Sequence, residues 1–139
     1  MSASVSHRLF EDYVKNYVQF QPDLAVINLS NNDPPDAFEK GITDFLELNQ
    51  SRKIKTLLLE EANSGEVIPV QGSLLANHRT LRQLAARFGV PIYSLHEFLN
   101  RPEVLRSGFL WWDFVHLTSY GQALTAQWLS PKLLKFVNP

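Results

Sequence analysis

Apolar and polar positions alternate along the chain in two periods. From Arg8 to Val18 the apolar residues Leu9, Phe10, Tyr13, Val14, Tyr17 and Val18 recur at helical spacing, which predicts an amphipathic helix with one apolar stripe. Gln21-Pro22-Asp23 breaks it, and Leu24-Ala-Val-Ile-Asn-Leu29 follows as a short run rich in branched residues, the signature of a strand buried on both faces of a parallel sheet. Ser30 to Asp36 is polar turn chemistry in which Asp33 before Pro34 reads as a helix N-cap. Phe38, Ile42, Phe45 and Leu46 mark a second helix, Ile54 to Leu59 a second strand, and Glu60 to Gln71 a loop. Leu74, His78, Leu81, Leu84, Ala85 and Phe88 mark a third helix, closed by Gly89 as a C-terminal cap. Val90 to Leu95 is a third strand. Irregular or short helical structure reaches Phe114, and a last helix starts near Ser119, with Ser119 and Gln122 at capping-box spacing and a restart expected at Ser130-Pro131.

Helices alternating with strands imply crossover units: an α/β fold, three-layer α/β/α with a parallel sheet, flavodoxin-like. Ligands of such sheets bind beyond the carboxyl ends of the strands. Three segments leave those ends, Ser30–Asp36, Glu60–Gly72 and His96–His116, and the chemistry is sought there.

Composition narrows the classes. The 139 residues, taken here as a single domain 1–139, are 45% hydrophobic with a net charge of -1. These are globular proportions, and they supply no basic field for nucleic acid. No apolar run approaches the length of a membrane span. The absence of cysteine removes disulfides, thiolate nucleophiles and cysteine metal sites. The first residues lack the hydrophobic stretch of a signal peptide, so a cytoplasmic location is the default and the compartment stays unknown.

Two clusters can carry chemistry. Asp113-Phe-Val-His116 places a carboxylate and an imidazole three residues apart, where the carboxylate can hold one ring nitrogen and leave the other as a general base. The alternative is a capping Asp beside a surface His. Asn31, Asn32 and Asp33 follow the first strand, where a side-chain amide can donate to a developing oxyanion. The alternative there is turn formation. Trp111 and Trp112 either wall a cleft or pack in the core. His78 reads as core or boundary, and Glu60-Glu61, which follow a strand and could face the cleft, read as a solvated loop.

Pro22 to Asp33 resembles the third block of the SGNH hydrolases, the GDSL esterases and lipases, in which a strand of the type "PDLVVI" ends in Gly-x-Asn-Asp. Asp113-Phe-Val-His116-Leu-Thr-Ser-Tyr-Gly121 resembles their last block, and the order of the two blocks agrees. The resemblance covers about Arg8 to Leu129 and implies ester or acyl hydrolysis through a Ser acyl-enzyme. It implies Asn32 as oxyanion-hole donor, His116 as general base and Asp113 as its orienting carboxylate, with Ser30, Asp33, Trp111 and Trp112 as cleft-lining candidates. It implies no metal or organic cofactor. The substrate it implies is a small ester, an acyl compound or an acetylated sugar.

The family's nucleophile lies in a Gly-Asp-Ser motif after its first strand, and no such motif occurs here. No glycine precedes Gly41, so the second-block glycine is absent or replaced within Ala3–Ser6, and Ser30 stands where the third block has Gly. Ser2, Ser4, Ser6 and Ser30 are the serines nearest those blocks, and none sits in a nucleophile elbow. These features match the C-terminal part of such a domain, lacking its first strand–helix–strand, so that the chain alone is expected to be inactive. The Leu24–Leu29 strand would then expose an edge, with self-association as a consequence. A second reading is a non-catalytic α/β binding or scaffold module derived from that fold. A nucleotide-binding domain is disfavoured by the absence of a Gly-rich phosphate loop.

Overall fold

The computed structural model describes residues 5–64 and 72–137. Ser2, Ser4, Ala3 and most of the loop after Glu61 lie outside the described residues. The backbone falls into two compact units, the first formed by the chain up to Glu61 together with Gln71–Tyr93, the second by Ala62–Val70 and Ser94–Pro139.

In the first unit, helix α1 (Ser6–Asn16) and a 3-10 turn (Val18–Phe20) lead into strand β1 (Leu24–Ile27). Helix α2 (Pro35–Arg52), strand β2 (Lys55–Glu60), helix α3 (Gly72–Phe88) and strand β3 (Ile92–Ser94) follow. The sheet order is β1-β2-β3, and β1 runs parallel to β2 with Leu24 opposite Lys55 and Ile27 opposite Leu58. This is the parallel α/β arrangement that the alternation of periods predicts, because each helix between strands returns the chain to the same end of the sheet.

Burial explains why these segments form these elements. Leu57, Leu58 and Leu59 of β2 are buried with Ile27 of β1, as a central strand covered on both faces requires. Phe38, Ile42, Phe45 and Leu46 of α2 and Leu81, Leu84 and Ala85 of α3 supply the facing stripes, and Phe10 and Tyr13 of α1 pack on Phe45. Asn49, fully buried, donates from Nδ2 to Thr56 Oγ1 at 3.0 Å and accepts from the Tyr13 hydroxyl at 2.9 Å, joining α1, α2 and β2 through one satisfied amide. Gly89 closes α3 at φ 65, where its Val90 neighbour donates to Ala85 at 3.0 Å, the C-terminal cap read from the sequence.

Two helix starts differ from the expectation. Asp33 does not cap α2, whose N-cap is Pro34 with no side-chain bond. Its carboxylate instead reaches back to α1, accepting from the Ser6 N–H at 2.9 Å and the Ser6 hydroxyl at 3.2 Å. An anionic group at a helix N-terminus satisfies an otherwise orphaned donor and meets the positive end of the helix dipole.

In the second unit, Ser94 caps the short helix α4 (Leu95–Leu99), followed by α5 (Pro102–Leu105) and α6 (Ser119–Val137). The third strand thus ends earlier than the apolar run, because Leu95 already opens α4. Phe98, Leu99, Leu110 and Trp111 form the core of this unit, and Phe98 stacks on Trp128 at 4.7 Å. The cap of α6 is Thr118, whose Oγ1 accepts from the Gly121 N–H at 3.1 Å, one residue before the expected Ser119. The expected restart at Pro131 does not occur: α6 runs through Pro131 to Val137. Among the described residues no helix is long and apolar enough to cross a membrane.

Candidate active site

Each functional side chain is held by its own unit. In the second, Trp111 and Leu117 form an antiparallel bridge. The Trp112 N–H donates to His116 O at 2.8 Å, and the Thr118 N–H to Leu110 O at 2.9 Å. These bonds close a tight loop over residues 112–116, and the Ser64 N–H donating to Phe114 O at 2.9 Å anchors it from outside.

Inside the loop Asp113 organises everything. Its Oδ1 accepts from the N–H groups of Val115 at 2.8 Å and His116 at 2.7 Å, and its Oδ2 lies 2.7 Å from His116 Nδ1. The spacing of three residues does bring the pair together, but through a side-chain-capped turn and not a helical one. The Asp113 side chain is half exposed, and the His116 side chain is 75% exposed. The hydrogen bond to His116, followed by those from the two backbone N–H groups, holds the Asp113 carboxyl down at about 2. It is therefore a stable acceptor that fixes Nδ1–H and aims Nε2 outward, the orientation a general base needs.

In the first unit, the turn after β1 is clamped from two sides. The Glu61 carboxylate accepts from the N–H of Ser30 and from that of Asn31 at 2.7 Å, while the Glu61 N–H donates to Ser30 Oγ at 3.1 Å. Asn77 of α3, fully buried, donates from Nδ2 to the carbonyls of Ser30 at 2.9 Å and Asp33 at 3.0 Å. Asn32 sits between those anchors and is exposed, while Ser30 and Asp33 on either side are buried. The clamped turn thus places the exposed residue Asn32 at the carboxyl end of β1, where an oxyanion donor is useful.

The remaining candidates divide. Trp111 is buried in the core of the second unit, and Trp112 is exposed, edge-on to Phe109 at 5.5 Å. Ser6 and Ser30 are both buried and hydrogen-bonded, Ser6 to Asp33 and Ser30 to Glu61, so neither hydroxyl is placed as a nucleophile. His78 is buried, as its apolar stripe predicts. Glu60 and Glu61 correct the expectation of a solvated loop: Glu60 closes β2 and is buried in a two-point pair with Arg82, and Glu61 is the clamp just described. From the sequence Glu61 reads as part of a solvated loop, and Asn77 is not singled out. The available signal was an acidic residue directly after a strand and an Asn on the apolar side of a helix. Among the described residues no three His, Asp or Glu side chains are grouped to hold a metal ion.

Solved structures share the fold. The acetyl xylan esterase AlAXEase superposes with a TM-score of 0.75 at 24% identity, over 89% of this chain and 73% of its own. The lipase/acylhydrolase from Enterococcus faecalis gives 0.78 at 16%, over 94% and 70%. A lipolytic protein of the G-D-S-L family from Desulfitobacterium hafniense gives 0.79 at 16%, over 92% and 75%. The chain has the SGNH-hydrolase fold. Its α/β sheet corresponds to that fold without the first strand–helix–strand, and a quarter to a third of each of those three solved chains has no counterpart in these 139 residues. No family model matches the sequence, and no curated protein matches it.

Proposed function

We propose that this chain carries the base and oxyanion part of an SGNH-type serine esterase or acyl hydrolase. In this reading His116 is the general base, Asp113 orients it and Asn32 donates to the oxyanion. The serine that forms the acyl-enzyme stands outside these 139 residues, and the chain alone does not turn over. The observation that carries the reading is the Asp113 Oδ2–His116 Nδ1 contact at 2.7 Å on an exposed, backbone-fixed loop. A capping aspartate needs no imidazole, and a surface histidine needs no carboxylate with both oxygens committed. The substrate class is a small ester or acetylated sugar, in keeping with the acetyl xylan esterase among the similar structures.

The chemistry follows from the parts. The serine hydroxyl gives its proton to His116 Nε2 as its oxygen attacks the ester carbonyl. Asn32 donates to the resulting oxyanion, and the imidazolium returns the proton to the leaving alcohol. Water then repeats the cycle on the acyl-enzyme. No metal or cofactor enters.

A module that kept the fold without catalysis is the competing reading, favoured by the absence of any Gly-Asp-Ser in the sequence. The DNA upstream of Met1 separates the two: an in-frame Gly-Asp-Ser about one crossover unit earlier supports the hydrolase, and stop codons there support the module. In the protein extended to include such a motif, His116→Ala should lower kcat for a chromogenic acetate ester by about 10⁴-fold or more. Near-normal turnover in that variant removes His116 from the role.

A further inference from the structure

The loop that carries Asp113 and His116 is tied to α4 by hydrogen bonds that run through two peptide groups. They start at Asn100, the C-cap of α4, whose Nδ2 donates to Asn63 O at 3.0 Å and to His96 O at 2.9 Å. The Asn63 carbonyl and the Ser64 N–H are the two ends of one peptide group, and that N–H donates to Phe114 O at 2.9 Å. The Phe114 carbonyl and the Val115 N–H are again one peptide group, and that N–H donates to Asp113 Oδ1 at 2.8 Å. Asp113 Oδ2 then meets His116 Nδ1 at 2.7 Å. All of these residues belong to the second unit.

Planarity makes the series directional. In a trans peptide the C=O and N–H leave one rigid plane in opposite directions, and no cis bond occurs among the described residues. A donor on the Phe114 carbonyl therefore turns the Val115 N–H toward Asp113, and a donor on the Asn63 carbonyl turns the Ser64 N–H toward Phe114. Each bond also polarises the next. The first donor is suited to its place: two carbonyls face it, and an amide nitrogen offers a hydrogen to each. Its base is firm, because Phe98 and Leu99 of α4 are buried in one cluster with Leu110 and Trp111.

The side chains of the linking segment do not account for its position. Asn63 and Ser64 are buried, yet among the described residues neither Asn63 Oδ1 nor Ser64 Oγ has a hydrogen-bond partner. Unpaired buried polar groups are costly and call for an explanation. Here the segment keeps its backbone bonds while its side chains forgo theirs.

We propose that Asn100 is a positioning residue for the candidate base: through the 63–64 and 114–115 peptides it holds the Val115 N–H on Asp113, and so keeps Asp113 on His116 Nδ1. The proposal rests on the hydrolase reading for what His116 does, and on the hydrogen bonds alone for how it is held.

NMR of the isotope-labelled 139-residue chain tests it. In the wild type the Ser64 and Val115 amides should exchange slowly. Asn100→Leu keeps the side-chain size and removes the donor. It should speed exchange at Ser64 and Val115 by about tenfold or more while the amides of α6 stay protected. The Asp113 midpoint should move up from about 2 toward the ordinary carboxylate range. Ser64→Pro removes the middle donor without touching α4 and should move the Asp113 midpoint the same way. Whichever variant keeps α6 protected decides. These readouts need no nucleophile, so they stand or fall apart from the hydrolase reading. Fast exchange at Ser64 in the wild type, an Asp113 midpoint that stays at about 2 in the deciding variant, or loss of protection throughout the second unit in both variants overturns the proposal.

Discussion

Imidazole becomes a directed base only when one of its nitrogens is held, and here the holding group is itself held. Both Asp113 oxygens are committed, one to two backbone N–H groups and one to His116 Nδ1. These bonds favour the carboxylate and keep it down at about 2. Because the folded value lies below the ordinary one, the stabilisation is complete above the ordinary carboxylate range and is lost as pH falls through about 2. Carbon-detected NMR titration of Asp113 should therefore show a midpoint near 2 in the wild type and nearer 4 in His116→Ala. A wild-type midpoint near 4 would mean that the loop does not hold the pair in solution. The pairing was legible in the Asp-x-x-His spacing. The exposure of the carboxylate was not, because spacing records distance along the chain and says nothing about what covers it. Asn77 was illegible for a related reason, since its partners are the backbone carbonyls of Ser30 and Asp33, which leave no mark in a sequence. Asn77→Ala strands two buried acceptors and should lower unfolding free energy by roughly 1–3 kcal/mol in urea titration. An unchanged midpoint would show that the clamp contributes nothing.

The strands and the three long helices of the sheet unit could be read because each is specified by its own apolar period, with the strand boundaries within two residues. The errors fall where an element depends on a distant one. Asp33 looks like the cap of the helix that follows it, yet it caps α1, because α1 and α2 approach closely enough for Ser6 to lie against the backbone of α2. That approach occurs at Gly41: a Cβ there would sit 2.0 Å from the Ser6 hydroxyl oxygen and 2.7 Å from its Cβ. Gly41→Ala should therefore separate the helices despite its better helix propensity, at a net cost of about 1–3 kcal/mol by thermal or chemical unfolding. A stabilised Gly41→Ala would contradict this packing. The persistence of α6 through Pro131 has the opposite origin. The local rule against an interior proline is sound, but the helix continues past it, and Lys132 lies over the Trp128 ring at 4.0 Å on the far side of the break point.

For the whole molecule, fold and chemistry separate. The sheet, its helices and the turn that presents Asn32 follow from the periods and turn residues of the sequence, and the solved hydrolases share that fold at 15–24% identity. The acyl-forming serine does not belong to these 139 residues in any recognisable motif, and the two described serines nearest the expected blocks are buried in structural hydrogen bonds. In the proposed reading the base, its orienting carboxylate and an oxyanion donor lie in these 139 residues and the nucleophile lies outside them. Intact-mass spectrometry after incubation of the folded chain with a fluorophosphonate probe tests that claim most directly. The mass should stay unshifted; a stoichiometric adduct on one serine, lost in His116→Ala, would show that the nucleophile lies within these residues after all.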